Sequence, residues 1–333
     1  MRRVGLSLLL VLVVISILPQ GAWAAPYYEG KRITIIVGFG PGGGYDRLAR
    51  ILAKHLPKYI PGKPAIIVEN MEGASSMICA NHVYNIAKPD GLTLGTFNRG
   101  LAFAQLTGVE GRKFDLLKFA WIGSGAVEST VLATRAELPY NTFADLEKSN
   151  KEIILGSTGP GDSSGQFPMI IQAYTGLKIK MITYPSSADV MLAVERKEVD
   201  GRGGTYSSLK PFIDRGVVRA LVRGSVVEPG IENLPVNEDL TQDKMGKTLM
   251  AMLSSADGMG RPYVATPGTP PEVMAILKEA FAKVAKDPEA MEDAKKNKMA
   301  ITYVPAEDVM KTLQFTMSQP PDVVKEFSKY VKF

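Results

Sequence analysis

The chain has 333 residues, with 39 Lys and Arg against 34 Asp and Glu and a formal net charge of +5. This near balance, without a basic stripe or a cluster of arginine and aromatic residues, argues against nucleic acid as a partner. A single cysteine, Cys79, excludes an internal disulfide and a thiolate metal cluster. The only histidines, His55 and His82, give little support to zinc chemistry or a Ser-His-Asp triad, so we expect no cofactor and no bound metal.

The first 24 residues have the pattern of an export signal. Arg2 and Arg3 precede a nearly unbroken apolar run over residues 6–18, and Ala22-Trp23-Ala24 matches the small residues of a cleavage site. The run is short for a membrane span, and no cysteine stands at the cleavage point to carry a lipid. We predict cleavage after Ala24 and a periplasmic mature protein; a retained membrane anchor is the alternative.

Strands and helices alternate through the first half of the mature chain. The predicted elements are a strand over 33–37, an amphipathic helix that ends before Pro57, a strand over 65–69, a helix over 77–87 and a strand over 92–97. This alternation is typical of a parallel sheet that is covered by helices on both faces.

The second half repeats the alternation. Two apolar runs over 119–134 are interrupted by glycines, and we place the first crossing between two domains there. The predicted elements after it are a helix with a Thr142–Asp145 capping box, strands over 152–156, 178–183 and 217–222, and helices from 163, 188 and 206. Residues 228–245 are irregular and polar.

A helical tail follows Tyr263, in which prolines 271, 288, 305 and 321 open successive helices. Such a tail commonly packs back on the first domain, which places the second crossing near residues 254–261. We therefore predict an α/β protein of two lobes with a hinge, in which domain 1 comprises 25–124 and 255–333 and domain 2 comprises 125–254.

Two glycine-rich loops share one arrangement. Residues 38–46 follow the first strand and residues 156–165 follow a strand of the second half, and each loop precedes a helix. The free N–H groups and the dipole of a helix start favour an anion. The second loop contains more short hydroxyl side chains than helix capping requires. Two such loops, one in each half, predict lobes that close on one anionic group.

The first loop also fits another class of protein. Gly38-x-Gly40-x-x-Gly43 matches the dinucleotide fingerprint, and Glu69 lies near the position of its ribose-binding acid. An exported NAD(P)-dependent oxidoreductase is therefore the alternative function. Against it, Pro41 stiffens the turn where the pyrophosphate would lie, and no later residue offers an acid or base for hydride transfer. A sensory or scaffold module with a protein partner is a third possibility, and we favour a non-catalytic receptor.

Several motifs resemble those of the extracytoplasmic solute receptors of tripartite tricarboxylate transporters, also called Bug proteins. They are Val37 to Arg50, Val68-Glu69-Asn70, Pro89 to Leu94, Gly156-Ser157 with Gly159 and Gly161, Glu198-Val199-Asp200, and Ala265 to Pro270. The resemblance implies a two-lobed periplasmic binding protein, each lobe a mainly parallel sheet flanked by helices. It also implies a small organic carboxylate as ligand and integral membrane transporter subunits as partners. We expect the receptor itself to be a monomer.

The resemblance further implies which residues bind the ligand carboxylate. One jaw comprises Gly42, Gly43, Tyr45 and Asp46, and the other comprises Ser157, Thr158, Gly161 and Ser163. Asp46 is itself an anion, so we expect it to hold bridging water and to cap the helix. Candidates for the far end of the ligand are Asn98, Arg99, Tyr184 and Arg202, which leaves a second carboxylate and a neutral tail equally open. Where the family usually has a histidine after the Gly-Ser motif, this chain has Gly165-Gln166-Phe167.

Overall fold

The structure is a computed structural model that describes residues 25–330 and Lys332, so the predicted export signal over 1–24 lies outside the described residues. The strands of this part are β1 (Arg32–Val37), β2 (Ala65–Asn70), β3 (Thr93–Thr96), β4 (Ala120–Ser124), β5 (Thr130–Arg135), β6 (Glu152–Ser157), β7 (Lys178–Thr183), β8 (Gly201–Thr205), β9 (Val218–Arg223), β10 (Pro262–Ala265) and β11 (Val304–Pro305).

The α-helices of the same part are α1 (Gly44–His55), α2 (Met77–Asn85), α3 (Leu101–Leu106), α4 (Phe143–Ser149), α5 (Ser163–Thr175), α6 (Ser187–Glu195), α7 (Tyr206–Asp214), α8 (Lys244–Ser255), α9 (Pro271–Val284), α10 (Pro288–Lys296), α11 (Ala306–Met317) and α12 (Pro321–Phe327). Among these helices none combines the length and apolar character that a membrane crossing requires.

The first sheet has the strand order β11-β4-β10-β3-β1-β2. Strand β1 pairs in parallel with β2 and β3, whereas β10 runs antiparallel to β3 and β4. Along β1 the side chains of Ile33, Ile35 and Val37 pack into one core cluster and that of Ile36 packs into another. Both faces of β1 are therefore buried, which explains its run of apolar residues.

The second sheet has the order β7-β6-β8-β5-β9, with β5 antiparallel to both of its neighbours. Its middle strand, β8, consists mostly of glycine. A Cβ at Gly201 would lie 2.1 Å from the Ala133 carbonyl oxygen, and a Cβ at Gly203 would lie 2.9 Å from Pro168 Cγ on α5. Glycine is therefore required where β5 and α5 pack this closely against β8.

The chain leaves the first sheet after Ser124 and returns to it at Pro262. We call the two sheets with their flanking helices the first and second lobes, and residues 125–129 with 256–261 the hinge. Helix α8 precedes the return and packs against α5 of the second lobe and against α11 and α12. Because α8 contacts both lobes, the domain boundaries given above stay a prediction.

Most predicted elements lie within about two residues of the observed ones, and the Thr142–Asp145 capping box is present. Five of these strands and helices were not predicted: α3, α8, β8, β10 and β11. Strand β8 shows no alternation of apolar residues, because it consists mostly of the glycines that close packing against β5 and α5 requires. Strand β10 is too short to give a pattern. Both lobes are α/β layers as predicted, but β5 and β10 make each sheet mixed.

Candidate functional site

A polar cleft lies between the two lobes, and the space within it together with its open mouth amounts to about 440 Å³. The first lobe supplies Phe39, Gly43, Gly44, Tyr45, Asn98 and Arg99 to its lining, and the second lobe supplies Thr158, Asp162, Ser163, Ser164, Ser187, Arg202, Gly204, Thr205 and Ser208. Most of these residues follow the carboxyl ends of strands. Such ends meet at one edge of a parallel sheet, so these loops converge on a common space.

The turn between β1 and α1 forms the first-lobe wall of the cleft. Helix α1 begins at Gly44 after the N-cap residue Gly43, and no side chain caps its first-turn N–H groups. These groups present the positive end of the helix dipole to the cleft. The ring of Phe39 stacks on that of Tyr45 with centroids 4.7 Å apart, which makes part of this wall apolar.

Asp46 fixes the shape of this turn. Its carboxylate accepts hydrogen bonds from the Gly42 amide at 2.9 Å, from Asn70 Nδ2 at 3.0 Å and from Arg50 Nε at 3.0 Å. Burial alone would raise the pKa of Asp46, but these donors outweigh burial and hold the pKa below its ordinary value. Asp46 does not line the cleft and the N-cap of α1 is Gly43, so Asp46 acts at the helix start by accepting the Gly42 amide and not as the N-cap itself. Its predicted role in holding bridging water stays a prediction.

The loop after β6 forms the opposite wall. Asp162 is the N-cap of α5. Its Oδ1 accepts a hydrogen bond from the Ser164 amide at 2.7 Å, and its Oδ2 accepts one from the Thr158 hydroxyl at 2.5 Å. Ser164 Oγ accepts the Thr158 amide at 2.9 Å. The Thr158 and Ser164 hydroxyls therefore mainly hold the loop together. Ser163, the first residue of α5, lines the cleft directly.

Two more helices of the second lobe begin at the cleft. Helix α6 starts at Ser187, and α7 starts one residue after Thr205, whose Oγ1 lies 2.7 Å from Ser208 Oγ. Ser187, Thr205 and Ser208 all line the cleft. The first turns of four helices, α1, α5, α6 and α7, thus surround one space, and each favours negative charge there.

Arg202 brings a full positive charge to the same space. The residue is 3% exposed, and its guanidinium donates to the Gly203 carbonyl oxygen at 2.8 Å and to the Ser187 carbonyl oxygen at 3.2 Å. No carboxylate of residues 25–330 forms an ion pair with it. Burial lowers the pKa of Arg202 to about 10, and the charge of Asp162 offsets only part of this. A buried guanidinium without an ionic partner is costly, so this one is suited to an anionic ligand.

Arg99 is different because it already has an anionic partner. Its Nη2 forms an ion pair with Asp257 Oδ1 and donates to Thr130 Oγ1 at 3.0 Å. Asp257 also accepts the Thr130 amide at 2.9 Å. These residues join the end of β3, the start of β5 and the hinge, so the pair connects the cleft to the hinge.

A second buried pair lies within the hinge itself. Arg261 is fully buried, and its Nε donates to Glu128 Oε1 at 2.5 Å. Arg261 Nη2 and Glu128 Oε2 both bind Ser207 Oγ, at 2.7 Å in each case. The Arg261 guanidinium also lies 4.9 Å from the centroid of the Tyr45 ring. The hinge is therefore tied to α1 and to α7, one helix from each lobe.

Glu228 lies near this hinge and makes the stability of the folded protein depend on pH. Its Oε1 accepts the Ser129 amide at 2.5 Å, and burial together with the Glu128 charge raises the pKa of Glu228 from 4.5 to about 7. The folded protein thus holds this proton to higher pH than the unfolded chain, and the free energy of unfolding falls as pH rises between these two pKa values.

We expect Glu228→Gln to raise the free energy of unfolding by about 1–3 kcal/mol at pH 8 and to change it little at pH 4. Urea unfolding at both pH values tests this, and an equal effect at both would contradict it.

The lobes touch each other across the cleft. Asn98 Nδ2 donates to the Gly161 carbonyl oxygen at 2.8 Å, and Arg47 Nη2 donates to the Ser207 carbonyl oxygen at 2.9 Å. Each bond joins a residue of the first lobe to one of the second. The structure is therefore a closed arrangement of the two lobes.

Gly44 is a sensitive point of this closed arrangement. A Cβ there would lie 2.2 Å from Arg261 Nη2 and 2.5 Å from Ser208 Oγ, whereas a Cβ at Gly43 would only touch Ser187 Cβ at 3.6 Å. We expect Gly44→Ala to weaken ligand binding by about 1–3 kcal/mol through this overlap, with Gly43→Ala as the milder matched control. Calorimetric titration of both variants tests the prediction, which equal affinities would contradict.

Seven of the twelve predicted ligand-binding residues line the cleft: Gly43, Tyr45, Asn98, Arg99, Thr158, Ser163 and Arg202. The other five do not. The Gly42 amide is bound by Asp46, and the Gly161 carbonyl is bound by Asn98. Ser157 is buried at the end of β6, where its carbonyl oxygen accepts the Tyr184 amide at 2.9 Å. Tyr184 itself lines a neighbouring surface cavity that shares Phe39 and Thr158 with the cleft.

Sequence reasoning missed the contribution of α6 and α7. Ser187, Gly204, Thr205 and Ser208 line the cleft but were not among the predicted residues. A signal was present, since Ser186-Ser187 and the group of Thr205, Ser207 and Ser208 are small hydroxyl residues that follow strands and begin helices. Asp162 and Ser164 belong to the predicted second loop and also line the cleft.

Two α/β lobes around a polar cleft, with a hinge of two crossing segments, are the architecture of two-lobed binding proteins. Residues 48–328 match the model of the tripartite tricarboxylate transporter family receptor, TctC. The chain belongs to this family, which confirms the resemblance described above. It is a solute-binding receptor, and receptors of this family are periplasmic.

Known proteins agree with this assignment. A UPF0065 protein of Bordetella pertussis is 29% identical over 329 residues, which cover 96% of this chain and 97% of the relative. The structure of the periplasmic binding protein BugD has a TM-score of 0.75 at 22% identity and covers 92% of this chain and 99% of its own. MatC from Rhodopseudomonas palustris with bound malate has a TM-score of 0.68 at 18% identity, with 90% and 99% covered. An R. palustris protein solved with adipate has a TM-score of 0.72 at 19% identity, with 90% and 97% covered. These structures confirm the two-lobed α/β fold.

Proposed function

We propose that this receptor captures a small organic carboxylate in the cleft and delivers it to the integral membrane subunits of a tripartite tricarboxylate-type transporter. The observation that carries the proposal is the buried Arg202 guanidinium, which has no ion-pair partner among the described residues and lies beside four helix starts. A ligand carboxylate there would form an ion pair with Arg202. It would also accept hydrogen bonds from first-turn N–H groups of both lobes.

The expected energies suit a transported solute. Each helix start contributes about 0.3–1 kcal/mol to the binding of an anion, and up to about 2 kcal/mol when the site is partly buried. Each charge-assisted hydrogen bond adds about 1.5–3 kcal/mol. Four or five such bonds, shared between the lobes, reach the roughly 8 kcal/mol of a micromolar complex. A carboxylate that contacts both lobes also favours their closure, because it binds the closed state better than the open one.

The alternative of an exported NAD(P)-dependent oxidoreductase fits the first loop poorly. A Cβ at Gly40 would lie 2.7 Å from Glu72 Oε2 and 2.9 Å from Ser186 Cβ. A pyrophosphate at this glycine would therefore meet a carboxylate and the second lobe. The fingerprint matches in sequence, but its surroundings favour packing between lobes over a dinucleotide.

Thermal denaturation with a panel of mono-, di- and tricarboxylates tests the proposed function. A ligand that binds only the folded protein stabilises it by about 4 kcal/mol at a thousandfold excess over Kd. We expect at least one carboxylate to raise the Tm, while its neutral amide or alcohol analogue, NAD+ and NADP+ leave it unchanged. Stabilisation by a nicotinamide cofactor alone would instead support the oxidoreductase, and no response to any carboxylate would contradict the receptor.

We further propose that the exported receptor begins at Ala25 and acts as a monomer. The signal-peptide pattern over 1–24 and the periplasmic location of the family support the start at Ala25. Intact mass of the protein recovered from the periplasm gives the cleavage site, and light scattering gives the oligomeric state. A retained N-terminus or a stable dimer would contradict this part.

A further inference from the structure

Asn98 uses its side-chain amide on three partners within the protein. Its Oδ1 accepts a hydrogen bond from the Gly100 amide at 2.8 Å, and its Nδ2 donates to the carbonyl oxygens of Gly161 at 2.8 Å and Ser75 at 3.2 Å. A flipped amide would face these two carbonyl oxygens with its own oxygen, so the orientation is fixed. Asparagine has two N–H donors, and both are occupied. Asn98 therefore lines the cleft but has no donor left for a ligand carboxylate.

The two carbonyl groups that Asn98 binds belong to different lobes. Ser75 lies in the turn between β2 and α2 of the first lobe. Gly161 lies in the second lobe directly before Asp162, the N-cap of α5. The Gly161 carbonyl oxygen also accepts Gln166 Nε2 at 3.0 Å from within the second lobe. Asn98 therefore joins the first lobe to the backbone at the start of α5, a helix whose first turn faces the cleft.

The two lobes approach each other closely around this amide. A Cβ at Gly100, in the first lobe, would lie 3.2 Å from the Gly161 carbonyl oxygen. A Cβ at Gly159, in the second lobe, would lie 2.7 Å from Ser75 Oγ. Each lobe thus has a glycine where the other lobe comes near. We call Ser75, Asn98, Gly100, Gly159 and Gly161 the closure contact, because it joins the lobes and separates when they move apart.

The first-lobe side of the closure contact has an unusual backbone. Ala74, Ser75 and Ser76 have φ values of 45°, 50° and 78°, a left-handed conformation that is uncommon for residues other than glycine. Such a conformation persists only where surrounding contacts hold it. Ser76 Oγ donates to the Gly38 carbonyl oxygen at 2.7 Å, and the bond from Asn98 holds the Ser75 carbonyl. These contacts keep the Ser75 carbonyl directed at the Asn98 amide.

From these contacts we infer that Asn98 is a positioning residue that stabilises the closed arrangement through the Gly161 carbonyl and does not bind the ligand. The inference rests on the proposed function and deepens it, because it assigns part of the affinity to a contact between lobes instead of a group of the ligand. Losing the contact lowers the population of the closed arrangement, and the apparent affinity falls in proportion to that population. The factor is therefore the same for every ligand that binds by closure.

Calorimetric titration and stopped-flow kinetics of Asn98→Ala, with each acid of the panel that binds the parent, test the inference. A neutral hydrogen bond of this kind changes affinity by about three- to tenfold. We expect the same loss for each acid, in koff and not in kon, because the ligand meets the open receptor and the contact forms afterwards. Losses that differ between acids, or no loss, would overturn the inference. If the parent binds no acid of the panel, the proposed function fails and the inference fails with it.

Two further variants separate the closure contact from general damage to the fold. Gln166→Ala removes the other donor to the Gly161 carbonyl oxygen, from within one lobe, so we expect its koff to stay within about twofold of the parent's. Gly100→Ala suits the backbone there, with φ −64° and ψ −9°, but brings a methyl group against the Gly161 carbonyl oxygen when the lobes close. We expect it to raise koff about threefold for every acid. Equal effects of Gln166→Ala and Asn98→Ala would overturn the inference. An unchanged koff in Gly100→Ala would overturn it as well, even where Asn98→Ala does not fold.

Discussion

Arg202→Gln is expected to weaken carboxylate binding by about 100-fold or more, the largest effect of any single change in the cleft. Truncating one partner of a buried charged pair costs about 2–5 kcal/mol. Arg202 is the buried cation of the cleft that lacks an ion pair within the described residues, so a carboxylate has no substitute for it. Calorimetric titration with the tightest acid of the panel measures this loss.

The same change should leave the ligand-free protein as stable or more stable. Burial lowers the pKa of Arg202 to about 10, which means that the folded state disfavours its charged form. Because pH 7 lies below both the folded and the unfolded pKa, this penalty is fully present there and amounts to about 1–3 kcal/mol. Arg202→Lys keeps the charge and should retain part of the affinity.

A matched control for this prediction is Arg219→Gln. Arg219 lies on β9 of the same sheet and donates to the Tyr140 carbonyl oxygen at 3.0 Å, away from the cleft lining. We expect it to leave affinity unchanged. Strong binding by Arg202→Gln, or equal losses in both variants, would contradict the role given to Arg202.

Glu128→Gln is expected to cost about 3–5 kcal/mol of stability, because it leaves the buried Arg261 guanidinium without its anion. Arg261 is fully buried and Glu128 is 1% exposed, so solvent cannot compensate either charge. In the double variant Glu128→Gln with Arg261→Gln, no charge remains unpaired, and much of the loss should be recovered. Urea unfolding of the single and double variants measures the coupling.

Glu137→Gln provides the matched exposed pair. Glu137 binds Lys197 Nζ at 2.9 Å, and its side chain is 51% exposed. Exposed pairs contribute about 0–1 kcal/mol, so this control should change stability little. If Glu128→Gln were as mild as Glu137→Gln, the hinge would not depend on its buried pair.

The sequence predicted the parts of the site that carry a local pattern. The turn at 38–46 and the loop at 156–165 both have glycines and helix starts within one short window, and the structure places Gly43 and Ser163 at the cleft. Tyr45 and Thr158 follow from the same windows. Local patterns of this kind depend on backbone geometry that neighbouring residues determine.

Contacts between distant residues could not be predicted in this way. Arg99 and Asp257 are 158 positions apart, and nothing near either residue shows that the two form a pair. Strand β8 is also invisible to apolar periodicity, because Gly201 and Gly203 satisfy the packing of β5 and α5. The sequence identified Arg202 and Arg99 as equal candidates, and only the fold shows that Arg99 already has a partner.

The central claim is that both lobes hold one carboxylate beside Arg202. A crystal structure of the receptor with its tightest acid from the panel tests this most directly. We expect the ligand carboxylate within about 3 Å of the Arg202 guanidinium and of first-turn N–H groups from α1 and from at least one helix of the second lobe. A ligand that contacts a single lobe, or whose carboxylate lies away from Arg202, would contradict the account.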